Sequence, residues 1–147
     1  MSAERQPRPA ERDYSHRDVV DKLGVKPGHV VAFDESAAPL DAELRARVLA
    51  RAGRPAAAEA EPADVVLIAA DADTDARAVL AAWRLRLVPN GGIWLLSPKR
   101  AQPRYVDQRL LIEAGLEVGL VDNKVVSVSA TTSAMRWVIR RRDRAAL

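Results

Sequence analysis

Two hydrophobic patterns alternate along the first two thirds of the chain. Three short runs, residues 29–33, 65–69 and 93–96, are apolar without alternation, which is typical of strands buried on both faces of a parallel sheet. Around them, apolar residues recur at the spacing of amphipathic helices. The predicted helices span residues 15–23, 40–51, 76–87 and 105–114, ended in turn by Gly24, Gly53, the sequence Pro89-Asn90-Gly91-Gly92, and Gly115.

The last third of the chain follows a different pattern. Residues 124–129 and 136–140 alternate between apolar and polar side chains, with Thr131-Thr132-Ser133 between them as a turn, which predicts a β-hairpin. The whole order predicts an α/β fold with three αβα layers around a mostly parallel, twisted sheet that ends in a C-terminal antiparallel hairpin. Residues 55–62 fit either a short edge strand or a linker.

These patterns define one domain, residues 14–142, between a polar tail at residues 1–13 and a basic tail at residues 143–147. Residues 1–13 have little to bury, so we expect them to be disordered. No apolar run approaches the roughly 20 residues of a membrane span, and the N-terminus lacks the apolar region of a secretory signal. The expected location is therefore the cytoplasm, without a membrane partner.

Composition removes some kinds of chemistry. The chain has no cysteine and two histidines, His16 and His29, so we expect neither disulfides nor a metal site. Its 23 basic and 20 acidic residues give a net charge of +3, and arginines are concentrated near both ends. Such tails can associate weakly with nucleic acid, but a solvated terminus explains them more simply and is the favoured interpretation.

Two stretches resemble a known family. Residues 23–31, Leu-Gly-Val-Lys-Pro-Gly-His-Val-Val, resemble the lead-in to the first strand of class I S-adenosylmethionine methyltransferases. Residues 88–95 resemble the turn and fifth strand of those enzymes, and the closing hairpin matches their fold. Over residues 22–31, 90–99 and 119–140 the chain is more closely similar to a family of short bacterial proteins of unknown function with a truncated methyltransferase-like layout.

The departure from the methyltransferases concerns their cofactor site. In those enzymes the first strand runs into a glycine-rich loop, where the absence of side chains lets the backbone approach the cofactor. The corresponding loop here, residues 34–39, contains no glycine. The resemblance also implies that a helix–strand–helix segment beside the adenosine site is missing. We therefore predict no S-adenosylmethionine binding in the usual manner, and no cofactor.

Candidate ligand-binding residues follow from one rule: in open parallel sheets, ligands bind beyond the carboxyl ends of the strands. Lys99 at this edge could pair with an anionic group, with Asp34 or with Asp71, and two close carboxylates could act as acid and base. The simpler interpretation, which we favour, is a helix cap at Asp73 and solvated acids elsewhere, with no catalytic residue. The candidates are Asp34, Glu35, Asp71, Asp73, Ser97, Lys99, Thr131, Thr132 and Ser133.

Three functional hypotheses remain at this stage. The first is a non-catalytic binding or regulatory module, with no methyltransferase activity expected. The second is an enzyme or receptor for a small anionic metabolite at the carboxyl edge, and the third is nucleic-acid association through the arginine tails. Trp83 and Trp94 are expected in the core. Trp137 is either core or a subunit contact, so pairing of the hairpin between two copies is a further hypothesis.

Overall fold

A computed structural model describes residues 19–144 and contains a five-stranded sheet in the order β1-β2-β3-β5-β4. The strands are β1 (Val31–Asp34), β2 (Ala63–Ala69), β3 (Leu87–Pro98), β4 (Leu120–Ser127) and β5 (Thr132–Ile139). The helices are α1 (described over residues 19–22), α2 (Ala42–Ala52), α3 (Ala76–Arg84), α4 (Gln108–Glu117) and α5 (Arg141–Arg144). Strands β1 to β3 are parallel, whereas β5 is antiparallel to both β3 and β4. The predicted αβα fold with a C-terminal hairpin is confirmed.

The continuous apolar strands bury both of their faces, as predicted. Successive residues of β2 point to opposite sides of the sheet, so that Leu67 joins one hydrophobic cluster and Ile68 the other. Helices α1 and α2 cover the first side, and α3 and α4 cover the second. Trp94 is buried on the first side and Trp137 on the second.

Aspartates begin three of the helices. The carboxylates of Asp41, Asp75 and Asp107 accept hydrogen bonds from backbone N–H groups in the first turns of α2, α3 and α4. The predicted cap at Asp73 is therefore wrong, because Asp75 holds that position. Gly53 ends α2 in the left-handed conformation that was expected of it.

The boundary between α3 and β3 differs from the prediction. Leu87 was assigned to the helix, but it is buried in β3 and pairs with Ala63. The next pair along these strands joins Val65 to Gly92, so residues 88–91 form a wide irregularity within β3. Proline and glycine in this segment therefore mark a bulge rather than the end of a helix.

The hairpin also has different bounds. Its turn consists of residues 128–131, where the hydroxyl oxygen of Ser129 accepts from the backbone N–H groups of Thr131 and Thr132. Thr132 and Ser133 were predicted in the turn but belong to β5. Trp137 is fully buried in the core, as is Ile139, so the proposed pairing of two copies through these side chains is wrong.

Helix α4 begins at Gln108 rather than near Tyr105 and continues through Gly115 to Glu117. Gly115 was expected to end the helix, but it is buried within it. A Cβ atom at this position would lie only 2.5 Å from Cδ1 of Trp137. Glycine is required here because the Trp137 indole occupies the space of its side chain.

Residues 55–62 form a linker, and no strand lies within them. Ala57 donates one backbone hydrogen bond to the carbonyl of Val31, on the side of β1 away from β2. The guanidinium of Arg54 donates two hydrogen bonds to the carboxylate of Glu61, which holds the linker in place. The chain therefore passes directly from α2 to β2. The predicted tail at residues 1–13 and the start of the first predicted helix lie outside the described residues. Asp143 and Arg144, which were predicted in the basic tail, belong to α5.

Candidate functional site

A cleft of about 640 Å³ opens at the carboxyl edge of the parallel strands, as the general rule for such sheets predicts. Its volume falls within the range of roughly 300–1,000 Å³ that is typical of small-molecule sites. Four segments form its walls: the loop after β1 with the start of α2, the ends of β2 and β3, residues 102–104, and the hairpin turn. We call this space the carboxyl-edge cleft. Its polar lining side chains are Asp41, Glu43, Asp71, Ser97, Gln102, Arg104, Ser129, Thr131 and Thr132.

The loop after β1 is closed by its own carboxylates. Asp34 accepts hydrogen bonds from the backbone N–H and the hydroxyl of Ser36, at 3.0 and 2.6 Å. Glu35 accepts from the backbone N–H of Leu40 at 2.9 Å and forms an ion pair with Arg45. Asp34 and Glu35 therefore shape the loop, and neither side chain lines the cleft.

Asp34 also binds the side chain of Trp83, whose indole N–H donates to the carboxylate at 2.7 Å. Burial raises the pKa of Asp34, but the hydrogen bonds from Ser36 and Trp83 outweigh it, so the pKa lies below its ordinary value. Trp83 was predicted as a core residue. It is half-buried, packs against the α3 side of the core, and links α3 to the end of β1.

Asp71 and Asp73 hold the guanidinium of Arg104 between them. Nε of Arg104 lies 2.8 Å from Asp71, and Nη2 lies 2.6 Å from Asp73. The hydrogen bond from Arg104 is the main reason why the pKa of Asp71 is lowered, and Asp71 in turn raises the pKa of Arg104. This ion cluster closes one wall of the cleft, with Asp71 and Arg104 both in the lining.

Arg104 was missed by the sequence reasoning. It lies in a loop after β3 and adopts a left-handed backbone conformation with φ of 67°, which is uncommon for a residue other than glycine. Its carbonyl accepts a hydrogen bond from the N–H of Ala72, so the backbone also joins the two loops. The signal that could have identified it is the pair of acids at Asp71 and Asp73, which requires a nearby cation.

The other predicted residues divide between the cleft and its surroundings. Ser97 is 7% exposed, lines the cleft, and its hydroxyl has no hydrogen-bond partner among residues 19–144. Lys99 lies outside the lining and donates to the hydroxyl of Ser127 at 2.7 Å, so the pairing with Asp34 or Asp71 that the sequence allowed is not formed. Thr131 and Thr132 line the cleft, whereas Ser133 does not.

The ionisable groups of the cleft are mostly acidic. Within the part of the chain that the structure describes, three carboxylates and one guanidinium line it. Asp41 caps α2, Glu43 forms an ion pair with Arg47, and Asp71 binds Arg104. The cleft therefore offers hydroxyl and amide groups in an environment that favours uncharged or cationic ligands over anions.

Two kinds of feature are absent from residues 19–144. No group of three or more histidine and acidic side chains is arranged to hold a metal ion. No helix in the same residues has the length and apolar character to cross a membrane.

Several solved structures that are similar to this chain are methyltransferases. A SAM-dependent methyltransferase from Aquifex aeolicus is 11% identical, with a TM-score of 0.59 and coverage of 83% of this chain and 88% of that one. The CcbJ methyltransferase from Streptomyces caelestis is 9% identical, with a TM-score of 0.57 and coverage of 85% and 89%. Fibrillarin from Aeropyrum pernix, solved with natively bound S-adenosyl-L-methionine, is 15% identical, with a TM-score of 0.50 and coverage of 84% and 76%. At these identities the similarity shows the fold alone.

The sequence itself matches a family. The family described as "Protein of unknown function (DUF3052)" matches residues 20–141, which include every strand of the sheet. No curated protein is significantly similar to the chain in sequence.

Proposed function

Because the chain belongs to the DUF3052 family of unknown function, we propose its role from the site itself: a non-catalytic module that binds a small uncharged or cationic molecule in the carboxyl-edge cleft. The observation that carries the proposal is the hydroxyl of Ser97, a largely buried residue in the wall of a ligand-sized cleft, which has no hydrogen-bond partner among residues 19–144. Because this hydroxyl is open to the cleft and is not used within the described part of the chain, it can donate to or accept from a ligand there and orient it.

The charge of the cleft argues for the ligand class. Its acids outnumber its single arginine, and that arginine is already bound by Asp71 and Asp73. Lys99, the cation on which an anionic ligand would depend, donates to Ser127 outside the lining. An anionic metabolite would therefore meet repulsion without a free counter-charge, whereas a neutral or cationic molecule would not.

The geometry of the loop after β1 argues against binding of S-adenosylmethionine, the methyl donor of the methyltransferases. Its N–H groups at Ser36 and Leu40 already donate to the loop's own carboxylates, and Pro39 has no N–H to offer. The free side of β1 is met by the short linker through Ala57, and no strand of residues 19–144 pairs there. A nucleoside cofactor would therefore find the N–H groups of Ser36 and Leu40 occupied and no strand beside β1 to form a wall.

The acids near the cleft argue for binding rather than catalysis. A general acid at neutral pH needs a carboxyl group whose pKa is raised. The pKa values of Asp34 and Asp71 are instead lowered by hydrogen bonds that serve the two loops. Both groups remain ionised at neutral pH and occupied by partners within the protein, which suits a structural role.

The ligand-binding proposal can be tested with a variant in which a large side chain fills the carboxyl-edge cleft. Ala38 lines the cleft, whereas its exposed neighbour Ala37 does not, so Ala38→Phe and Ala37→Phe form a matched pair. A fragment library containing neutral, cationic and anionic compounds would be screened by amide NMR shifts. We expect neutral or cationic fragments to shift the amides of Gln102, Arg104 and Thr131, and Ala38→Phe alone to abolish those shifts. Fragments that bind elsewhere, or that bind both variants equally, would contradict the proposal.

A separate experiment tests the proposal that the chain does not bind S-adenosylmethionine. Isothermal titration of S-adenosylmethionine into the wild-type chain should show no saturable heat at concentrations where methyltransferases of the same fold bind it. The same titration with S-adenosylhomocysteine checks for retention of the product. Saturable binding of either compound would overturn this part of the proposal.

A further inference from the structure

A second, smaller pocket of about 260 Å³ lies at the amino edge of the parallel strands, opposite the carboxyl-edge cleft. We call it the amino-edge pocket. Its volume is below that of sites for whole drug-sized ligands, so it suits a small ion or one functional group of a larger molecule. Its walls come from the end of α1, the start of β1, and strands β2 to β5. The lining charged or titratable residues are Lys22, His29, Asp64, Lys124 and Arg136.

Two cations stand directly opposite each other in this pocket. Lys124 of β4 pairs in register with Arg136 of β5, so both side chains are on the same face of the sheet. Arg136 also lies across from Trp94 of β3. Like charges at directly opposed positions of two strands repel each other unless a counter-ion lies between them.

Gly92 allows Arg136 to lie across β3. A Cβ atom on Gly92 would be 2.6 Å from Cζ of Arg136, so any larger residue would displace the guanidinium. Glycine inside a strand commonly marks close approach of another group, and here that group is a half-buried cation. The sheet is therefore shaped to hold Arg136 in the pocket.

No acid among residues 19–144 forms an ion pair with Arg136 or Lys124. Arg136 forms no hydrogen bond or ion pair within residues 19–144. Asp64, the single acid of the lining, accepts the backbone N–H of Val30 at 2.8 Å. Lys124 reaches the carbonyl of Lys22 at 3.4 Å, and the Nδ1 atom of His29 accepts from the N–H of Lys26.

We propose that the amino-edge pocket binds a small oxyanion, namely phosphate or the phosphate group of a small metabolite, between Arg136 and Lys124. A guanidinium remains charged when it is half-buried and binds phosphate oxygens through paired N–H groups. Burial lowers the pKa of Arg136, and the charge of Arg144 adds to this effect, so its surroundings within the protein disfavour the charged guanidinium. A bound oxyanion would offset both effects and the repulsion from Lys124.

The experiment is isothermal titration of inorganic phosphate and of glycerol 3-phosphate into the whole chain at low ionic strength. Arg136→Gln removes the cation, and Gly92→Ala keeps every charge but displaces the guanidinium. We expect each variant to weaken phosphate binding by roughly tenfold or more, as for loss of a charge-assisted hydrogen bond. Tighter binding of glycerol 3-phosphate than of phosphate would identify the metabolite form of the ligand.

The matched control is Arg109→Gln, which makes the same charge change at an exposed position of α4. It should bind phosphate like the wild type, and circular dichroism would verify the fold of all three variants. Equal weakening in Arg109→Gln would show a diffuse charge effect and overturn the proposal. So would unchanged binding in both Arg136→Gln and Gly92→Ala, or binding of a single-stranded oligonucleotide that these two variants leave intact.

Discussion

The two edges of the sheet differ in whether their charged side chains have partners of opposite charge. At the carboxyl edge, each of the acids Asp34, Glu35, Asp71 and Asp73 has a partner within the protein. At the amino edge, Lys124 and Arg136 face each other, and Arg136 has no counter-charge among the described residues. The cleft is large and mildly acidic, whereas the pocket is small and basic.

The difference indicates how each edge can select a ligand. Paired charges at the carboxyl edge stabilise the loops, and recognition there depends on shape and on hydroxyl groups such as that of Ser97. At the amino edge the unpaired guanidinium of Arg136 is itself the recognition element. The rule that ligands bind at carboxyl ends of parallel strands describes the first edge and says nothing about the second.

The largest expected effect comes from the element that both edges share. Strand β5 carries Thr132 at the cleft and Arg136 at the pocket, and Trp137 anchors it in the core. Gly115→Ala would press a methyl group against the Trp137 indole. Overpacking costs about 1–3 kcal/mol, and the better helix propensity of alanine recovers about 1 kcal/mol. We expect a net loss of up to about 2 kcal/mol in the free energy of unfolding, measured in urea.

The control for this variant is Glu113→Ala, on the exposed side of the same helix, which should change stability by less than about 0.5 kcal/mol. Because β5 joins the two sites, Gly115→Ala should weaken fragment binding in the cleft and phosphate binding in the pocket together. A gain in stability would show that the indole moves freely, and the packing argument would then fail.

A smaller effect, confined to one edge, is expected at Arg104. Arg104→Gln removes the cation between Asp71 and Asp73 and should loosen the wall of the cleft while leaving phosphate binding unchanged. Arg104→Gly removes the same cation but suits the left-handed backbone, because glycine adopts this conformation without a Cβ clash. We expect the Tm to fall in both variants, and less in Arg104→Gly.

Amide hydrogen exchange would locate this effect. Faster exchange should appear in residues 70–75 and 100–106 and not around Gly92 or Arg136. Changes that spread to the amino-edge pocket would show that Arg104 affects the whole sheet and not only its own wall of the cleft. A fall in Tm for Arg104→Gly that equals or exceeds the fall for Arg104→Gln would show that backbone strain at this residue is small.

Much of the fold could be predicted because its strongest signals are local. The buried strands around Val66 and Leu95 are continuous apolar runs, and the helices follow from periodicity and from glycine at their ends. The errors occurred where tertiary packing overrides local preference. Leu87 extends β3 because it is buried against Ala63, and Gly115 continues α4 because the Trp137 indole requires a residue without a side chain.

The candidate site could be predicted in position but not in detail. The carboxyl-edge rule correctly indicated Asp71, Ser97, Thr131 and Thr132, which line the cleft. It could not provide the pairing of Asp71 with Arg104, which are 33 residues apart. The amino-edge pocket was not considered, because the register that opposes Lys124 to Arg136 depends on an irregularity in β4 between Asp122 and Lys124.

The smallest expected effect is on the way in which the free energy of unfolding falls at acid pH. The hydrogen bond from Trp83 to Asp34, at the carboxyl edge, allows this dependence to be tested by mutation. The folded pKa of Asp34 lies below its ordinary value of 3.8, so its ionised form stabilises the fold at neutral pH. This stability is fully present above the unfolded pKa and is lost as the pH falls through the folded pKa. Trp83→Phe removes one of the hydrogen bonds that lower the pKa, and should flatten the loss of stability below about pH 4.

Trp94→Phe provides the comparison at the other edge. The Trp94 indole lines the amino-edge pocket and donates to the carbonyl of Leu23, which does not titrate. This variant should therefore lower stability by the same amount at every pH between 3 and 7, whereas Trp83→Phe should change the slope. Urea unfolding at several pH values measures both. Because Asp34 is only partly buried, solvent screens this interaction and the difference in slope should be modest. Parallel curves for the two variants would mean that the Trp83 hydrogen bond does not control the ionisation of Asp34.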